Sequence, residues 1–172
     1  MHLDMPIEQL VRRNGVAFQF AFATEARERV AQSEEFVLNP SHDGLHMLAR
    51  NEESLALPVE ALREAYGPSL KLAPPRARLI GGAQLQEPIM HVRISLQTQF
   101  KEAVTRALLR RGAASAEEYV RSSYCVLRYE APLADLLGLP AELVRLSGGS
   151  AKHWIALSHY AIVTRDPGGK AA

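Results

Sequence analysis

The sequence predicts an α+β protein built from two βαββαβ units in tandem, each a two-layer sandwich with helices on one sheet face. Three observations lead there. Apolar residues alternate with period two at 16–23, 91–96 and 153–163, as in half-buried strands. Leu55, Val59 and Leu62, and again Phe100, Val104 and Leu108, repeat at helical spacing. The uncharged run Gly81-Gly82-Ala83 separates two stretches with the same order of elements.

Taken in order, residues 5–13 read as a short helix with Ile7, Leu10 and Val11 on one side, stopped by Asn14-Gly15. Val16, Phe18, Phe20 and Phe22 then alternate with Ala17, Gln19, Ala21 and Ala23 as a strand. Thr24 is the expected N-cap of a charged helix over 25–33, which offers a core only Ala26 and Val30. Phe36-Val37-Leu38 and residues 45–49 make a hairpin around the turn chemistry of 39–44. A second helix runs from about 52 to 66 and ends at Gly67-Pro68. A last strand follows at 69–73, and Ala77, Leu79 and Ile80 continue extended beyond Pro74-Pro75.

In the second half Val92, Ile94 and Leu96 face one way and His91, Arg93 and Ser95 the other. Thr98 is placed to cap the helix that ends at Arg110-Arg111-Gly112. Residues 113–123 hold a poorly patterned strand and turn, and 124–130 form the third strand. Pro132 sits in the first turn of the next helix, which Gly138 and Pro140 interrupt and Ser147-Gly148-Gly149-Ser150 stops. In the strand over 153–163, Trp154, Ala156, Ser158, Tyr160 and Ile162 share one face; both faces carry apolar residues, which predicts a central strand. The expected domains are residues 1–81 and 82–165, each ferredoxin-like, with 166–172 as a flexible tail.

Composition narrows the function. With 47% hydrophobic residues, one cysteine and a net charge of +1, the chain reads as a globular protein without a disulfide framework, in a cytoplasmic setting. No run approaches the roughly 18 apolar residues of a membrane span. Asp4 and Glu8 stand where a signal peptide would be basic. Residues 85–165 carry ten Arg or Lys against seven Asp or Glu, while 1–84 carry nine against eleven. The second half is therefore mildly basic, without the dense stripe of an obvious nucleic-acid binder.

No residue set predicts a catalytic centre, a cofactor or a metal. His42 and His46 lie four apart but flank a hairpin turn, and read as solvated. Cys125, with His153 and His159 in reach on neighbouring strands, fits a buried apolar residue better than a nucleophile. Neither Gly-x-x-x-x-Gly-Lys-Ser/Thr nor Gly-x-Gly-x-x-Gly occurs, so nothing here cradles a nucleotide. Arg106 and Arg110 lie one turn apart, Arg111 extends them, and Arg145 and Lys152 flank the Gly-Gly turn; these five are the candidates for RNA contact, although cations also offset a helix C-terminus. Trp154 and Tyr160, with Tyr124 or Tyr129, are expected on the open sheet. Because the Lys/Arg-Gly-Phe/Tyr-Gly/Ala-Phe motif of RNA-recognition modules is absent, they read as a face for the preceding domain, a protein partner or a second copy.

Four motifs carry a resemblance. Residues 85–90 (LQEPIM), Arg110-Arg111-Gly112, Ala131-Pro132-Leu133 with Gly138, and Ser158-His159-Tyr160 occur in the order and spacing seen in the fifth domain of elongation factor G and its translational GTPase relatives. Residues 62–77 are similar, more weakly, to the end of the third domain. A third domain running into a fifth resembles LepA and BipA. The resemblance implies a translation-factor binding module that contacts the ribosome or its RNA without hydrolysing nucleotide. The family's Gln-Gly-Arg is Gly148-Gly149-Ser150 here, which removes a guanidinium and an amide from that turn.

Overall fold

Residues 7–13 form a strand, β1 (Ile7–Arg13), rather than the expected helix. Ile7, Gln9 and Val11 are its buried set, and that period of two is hidden in the sequence because Gln9 is polar and Leu10 is not. The computed structural model describes residues 3–82 and 84–163, and the chain divides into two units between Arg78 and Leu79. The expected tail at 166–172 lies outside the described residues.

In the first unit β1 is followed by α1 (Gln19–Arg29), β2 (Phe36–Ser41), β3 (Gly44–Ala49), α2 (Ala56–Tyr66), β4 (Leu70–Leu72) and β5 (Arg76–Ala77). The phenylalanine alternation that reads as a strand is the entry to α1. Phe22, Ala23 and Ala26 are buried at helical spacing, whereas Phe18 is 78% exposed. Gln19 fixes the helix start: its side chain accepts from the Arg13 amide at 3.0 Å and donates to the Arg13 carbonyl at 2.8 Å. Thr24 is no N-cap, since its hydroxyl donates to the Phe20 carbonyl inside the helix at 2.9 Å.

The sheet order is β2-β3-β1-β4, with β5 also pairing β1. Pro74 and Pro75 lack N–H donors and break that edge into two short strands. The buried Gln9 side chain bridges the gap by donating to the Ala73 carbonyl at 2.8 Å.

The second unit runs β6 (Gln86–Gln97), α3 (Lys101–Arg110), β7 (Ala114–Val120), β8 (Tyr124–Pro132), α4 (Leu133–Leu136), α5 (Leu139–Ser147) and β9 (Lys152–Ile162). Its sheet order is β7-β8-β6-β9. Both units therefore have the strand order 4-1-3-2, counted within each unit, and the predicted class holds: α+β, two βαββαβ ferredoxin-like sheets. Met90, Val92, Ile94 and Leu96 of β6 pack with Cys125, Leu127 and Tyr129 of β8 and with Val104, Leu108, Leu139 and Leu143 of the helices. Thr98 caps nothing with its side chain; the hydroxyl donates to the Arg121 carbonyl at 3.0 Å and ties the helix entry to the β7–β8 hairpin.

Two features of β9 depart from expectation. It is an edge strand, not a central one. Its pairing with β6 also shifts between Ile89 and Met90, whose partners are His159 and Leu157, so Ser158 is the extra residue of a bulge. A bulge offsets the alternation, so Tyr160 is carried to the helix-side face and His159 to the open one. β7 is a full strand whose seven residues are all exposed, which explains its poor sequence pattern.

Candidate nucleic-acid interface

The second unit presents two surfaces. On the helix layer, Glu142 of α5 gathers three guanidiniums. Arg110 lies 3.2 Å from its carboxylate and Arg145 3.6 Å, while Arg111 makes a two-nitrogen contact at 3.0 and 2.8 Å. Arg111 donates further to the carbonyls of Asp135 at 2.7 Å and Leu137 at 3.0 Å. Half-buried and with its donors directed inward, it clamps α3 to the α4–α5 connection and is no free phosphate ligand. Arg110 and Arg145 keep most of their surface, and Arg106 is exposed beside Glu102 at 3.7 Å. The surface therefore carries Arg106, Arg110 and Arg145 as available cations. Lys152 is not part of it: it pairs with Ser95 on the open side of the sheet.

The open face is ordered by register. Glu117, Arg128, Arg93 and Trp154 form one row across all four strands. Tyr119, Val126, Ser95 and Lys152 form the next. Side chains of directly paired antiparallel residues share a face. Trp154 is 58% exposed, and the Tyr119 and Tyr124 rings lie 6.3 Å apart with the Arg121 guanidinium 5.1 Å from the Tyr119 centroid. A cavity of about 750 Å³ is lined by His91, Arg93, Glu117, Arg128 and Trp154, and a second of about 500 Å³ by Arg93, Ser95, Tyr119 and Tyr124. Tyr124 and Trp154 thus lie on the open face as expected, and Tyr160 does not. Tyr129 is buried on the helix side, where its hydroxyl donates to Glu118 at 3.2 Å. The sequence reading missed Arg93, Arg128 and Tyr119. The outward alternation of His91, Arg93 and Ser95 was visible, but what stands beside them depends on strand register.

The remaining candidates are structural. His42 stacks on Phe20 with centroids 5.3 Å apart. His46 is not solvated: its Nδ1 lies 2.5 Å from Glu8 and its Nε2 2.8 Å from Asp43. Both partners are acceptors when ionised, and the ring donates to both only as the imidazolium, the form this pairing favours. Burial opposes that charge, yet the bonds to Asp43 and Glu8 outweigh it and raise the His46 pKa. Burial likewise opposes the charge of Glu8, but His46 and Arg76 hold its pKa below the usual range; hydrogen bonds from His46 and Ser41 lower that of Asp43.

These directions set a pH dependence. A raised histidine stabilises fully below its unfolded value and loses that contribution as pH rises through the folded one. The carboxylates stabilise above their unfolded values and lose it as pH falls through the folded ones. First-unit stability is therefore expected to be highest on the acid side of the ordinary histidine value of 6.5 and above the carboxylate values of 4.5 and 3.8, and to decline into alkaline pH. Urea midpoints measured across pH should show the alkaline decline in the native protein and a flat profile there in His46→Gln. An equal decline in the variant would remove His46 as the cause.

Cys125 is fully buried and burial pushes its thiol up, which leaves no reactive thiolate. No three His, Cys, Asp or Glu residues are arranged to hold a metal among the described residues.

A family model described as the elongation factor G C-terminus matches residues 84–170. The chain belongs to the elongation factor G C-terminus family. A relative named elongation factor G 2, from Hahella chejuensis, is 32% identical over 113 residues, covering 66% of this chain and 15% of that protein. A crystal structure from Thermus thermophilus aligns with a TM-score of 0.64 and 14% identity over 95% of this chain and 42% of that one, a likeness of fold. The chain thus spans a small part of the relative's length.

The motifs that carry resemblance to the elongation factor G family prove to be architectural in this chain. Arg111 clamps the helix layer, Pro132 ends β8 as the residue before α4 rather than lying in its first turn, and Ser158 is the bulge. Gly148 and Gly149 both take left-handed backbone, with φ of 58° and 80°. The Gly149 amide donates to the Val144 carbonyl at 2.9 Å and closes α5. Among the described residues no helix is long and apolar enough to cross a membrane.

Proposed function

We propose that this chain is a translation-elongation-factor-like binding module that contacts the ribosome or ribosomal RNA and hydrolyses no nucleotide within these residues, in a cytoplasmic setting. The observation that supports this reading is the family match over 84–170, a segment whose helix layer carries Arg106, Arg110 and Arg145. Guanidiniums of this kind bind phosphate through charge and paired N–H donors, and the affinity they supply falls with salt.

Co-sedimentation with ribosomes over a salt series tests it. The protein is expected to pellet at low salt and to be released as salt rises. Replacing Arg106, Arg110 and Arg145 together by alanine should weaken pelleting and reduce the slope of log affinity on log salt by up to about 3, one for each lost phosphate contact. Absence of pelleting at low salt would remove the reading.

A further inference from the structure

We propose that the open face of the second sheet, between Trp154 on β9 and the Tyr119–Tyr124 pair on the β7–β8 hairpin, is a binding platform for single-stranded RNA. It rests on the reading that this chain meets RNA and assigns that contact a second surface, separate from the helix layer.

The geometry supplies both things a single strand needs. Flat rings stand at either end: Trp154, 58% exposed, at one edge, and Tyr119 and Tyr124, 43% and 47% exposed, at the other. Three strand spacings separate β9 from β7, about 14 Å. Between the rings lie the guanidiniums of Arg93 and Arg128, adjacent across β6 and β8. Bases stack on exposed aromatic faces whatever their sequence, and phosphates follow a cationic track.

Charge selects the occupant. The face presents Arg93, Arg128, Lys152 and Arg121 against two carboxylates, Glu117 and Glu130. Glu117 is engaged with Arg128 at 2.5 Å, and Glu130 lies 3.8 Å from both His91 and His159. Those ion pairs use Arg128, His91 and His159, not Arg93 or Lys152. A second copy docked on this face would bring like charges together, because a two-fold interface repeats the same patch on both sides. An acidic peptide would answer the cations but leave the rings exposed. RNA satisfies both, through phosphate on Arg93 and Lys152 and bases on Trp154 and the tyrosines.

Trp154 is the chain's single tryptophan, so it reports its own occupancy. Titration of the whole protein with a mixed-sequence single-stranded RNA octamer is expected to quench its fluorescence, with an affinity that falls as salt rises. With a labelled octamer and anisotropy detection, Trp154→Ala and Arg93→Gln should each weaken binding roughly 10-fold. Lys71→Gln, an exposed cation of the first unit, should leave octamer affinity within about 2-fold. Circular dichroism showing native folding of each variant accompanies the comparison; both residues are exposed on the open face.

Unchanged Trp154 fluorescence at saturating RNA, or octamer binding lost in the helix-layer variant but kept in Arg93→Gln, overturns the proposal. A dimer in light scattering that Arg93→Gln strengthens also overturns it, in favour of a second copy. Ribosome pelleting of the native protein, set beside its octamer binding, separates this inference from the function it rests on. Pelleting retained without octamer binding by the native protein sinks the platform alone; loss of both in the native protein sinks both.

Discussion

Replacing Gly44 by alanine is expected to destabilise the first unit by about 3 kcal/mol or more, a large share of what a domain of this size has to lose. Gly44 opens β3 directly after the two-residue turn His42-Asp43, with φ of 142°. A Cβ there would stand 2.4 Å from the Val11 carbonyl oxygen, 3.0 Å from Leu10 Cδ1 and 3.1 Å from Arg12 Cγ. The nearest obstacle is backbone of β1, the central strand, which pairs with β3, β4 and β5. Relief therefore requires β3 to move off β1 or β1 to move off the helices, and either opens a core containing Leu45, Met47 and Val11. Gly15 is the control. Its φ is also positive, at 74°, but no atom lies within 4 Å of its added Cβ, so Gly15→Ala should cost only the left-handed backbone penalty of about 1 to 2 kcal/mol. Urea denaturation of both variants measures the difference. Equal midpoints would show that the Val11 contact relaxes freely and that the close approach costs nothing.

The same hairpin shows where sequence reasoning reaches. Phe36-Val37-Leu38, the turn and the returning strand were legible because turn chemistry and apolar alternation agree there. At 7–23 they conflict. Ile7, Leu10 and Val11 fit a helical stripe, and the phenylalanines fit a strand, yet pairing of β1 with three strands and burial of only Phe22 reverse both assignments. Local pattern was ambiguous, and tertiary pairing decided it. In the second unit the 91–96 alternation survives intact because β6 is long, central and covered on one face. The candidate surfaces were half legible. The helix-layer arginines stood out by spacing, but nothing in Arg110-Arg111 says which one turns inward. The open face was legible in Trp154 and Tyr124 and misread at Tyr160, since a bulge leaves no mark in composition.

That inward turn carries the other large prediction. Arg111→Ala is expected to lower second-unit stability by about 2 to 3 kcal/mol, because it removes one partner from a largely buried ion pair and strips two carbonyls of their donor. Arg111 is 22% exposed and Glu142 16%. Without Arg111 the carboxylate keeps Arg110 and Arg145, both about 70% exposed and single-contact, so the loss falls below the upper end for a fully isolated buried charge. The carbonyls of Asp135 and Leu137 lie where α4 gives way to α5, and both accept from Arg111. Arg110→Ala, by contrast, should change stability by no more than about 0.5 kcal/mol. Arg111→Lys keeps the charge but not the planar fork, and should recover only part of the loss. Trp154 lies in the same unit and reports its unfolding in urea. A midpoint for Arg111→Ala matching that of Arg110→Ala would show that the clamp contributes nothing and would return Arg111 to the set of free cations. If the clamp holds, weakened ribosome binding in an Arg111 variant reports a distorted helix layer. Only Arg106, Arg110 and Arg145 then test phosphate contact there, which is why the ribosome experiment leaves Arg111 in place.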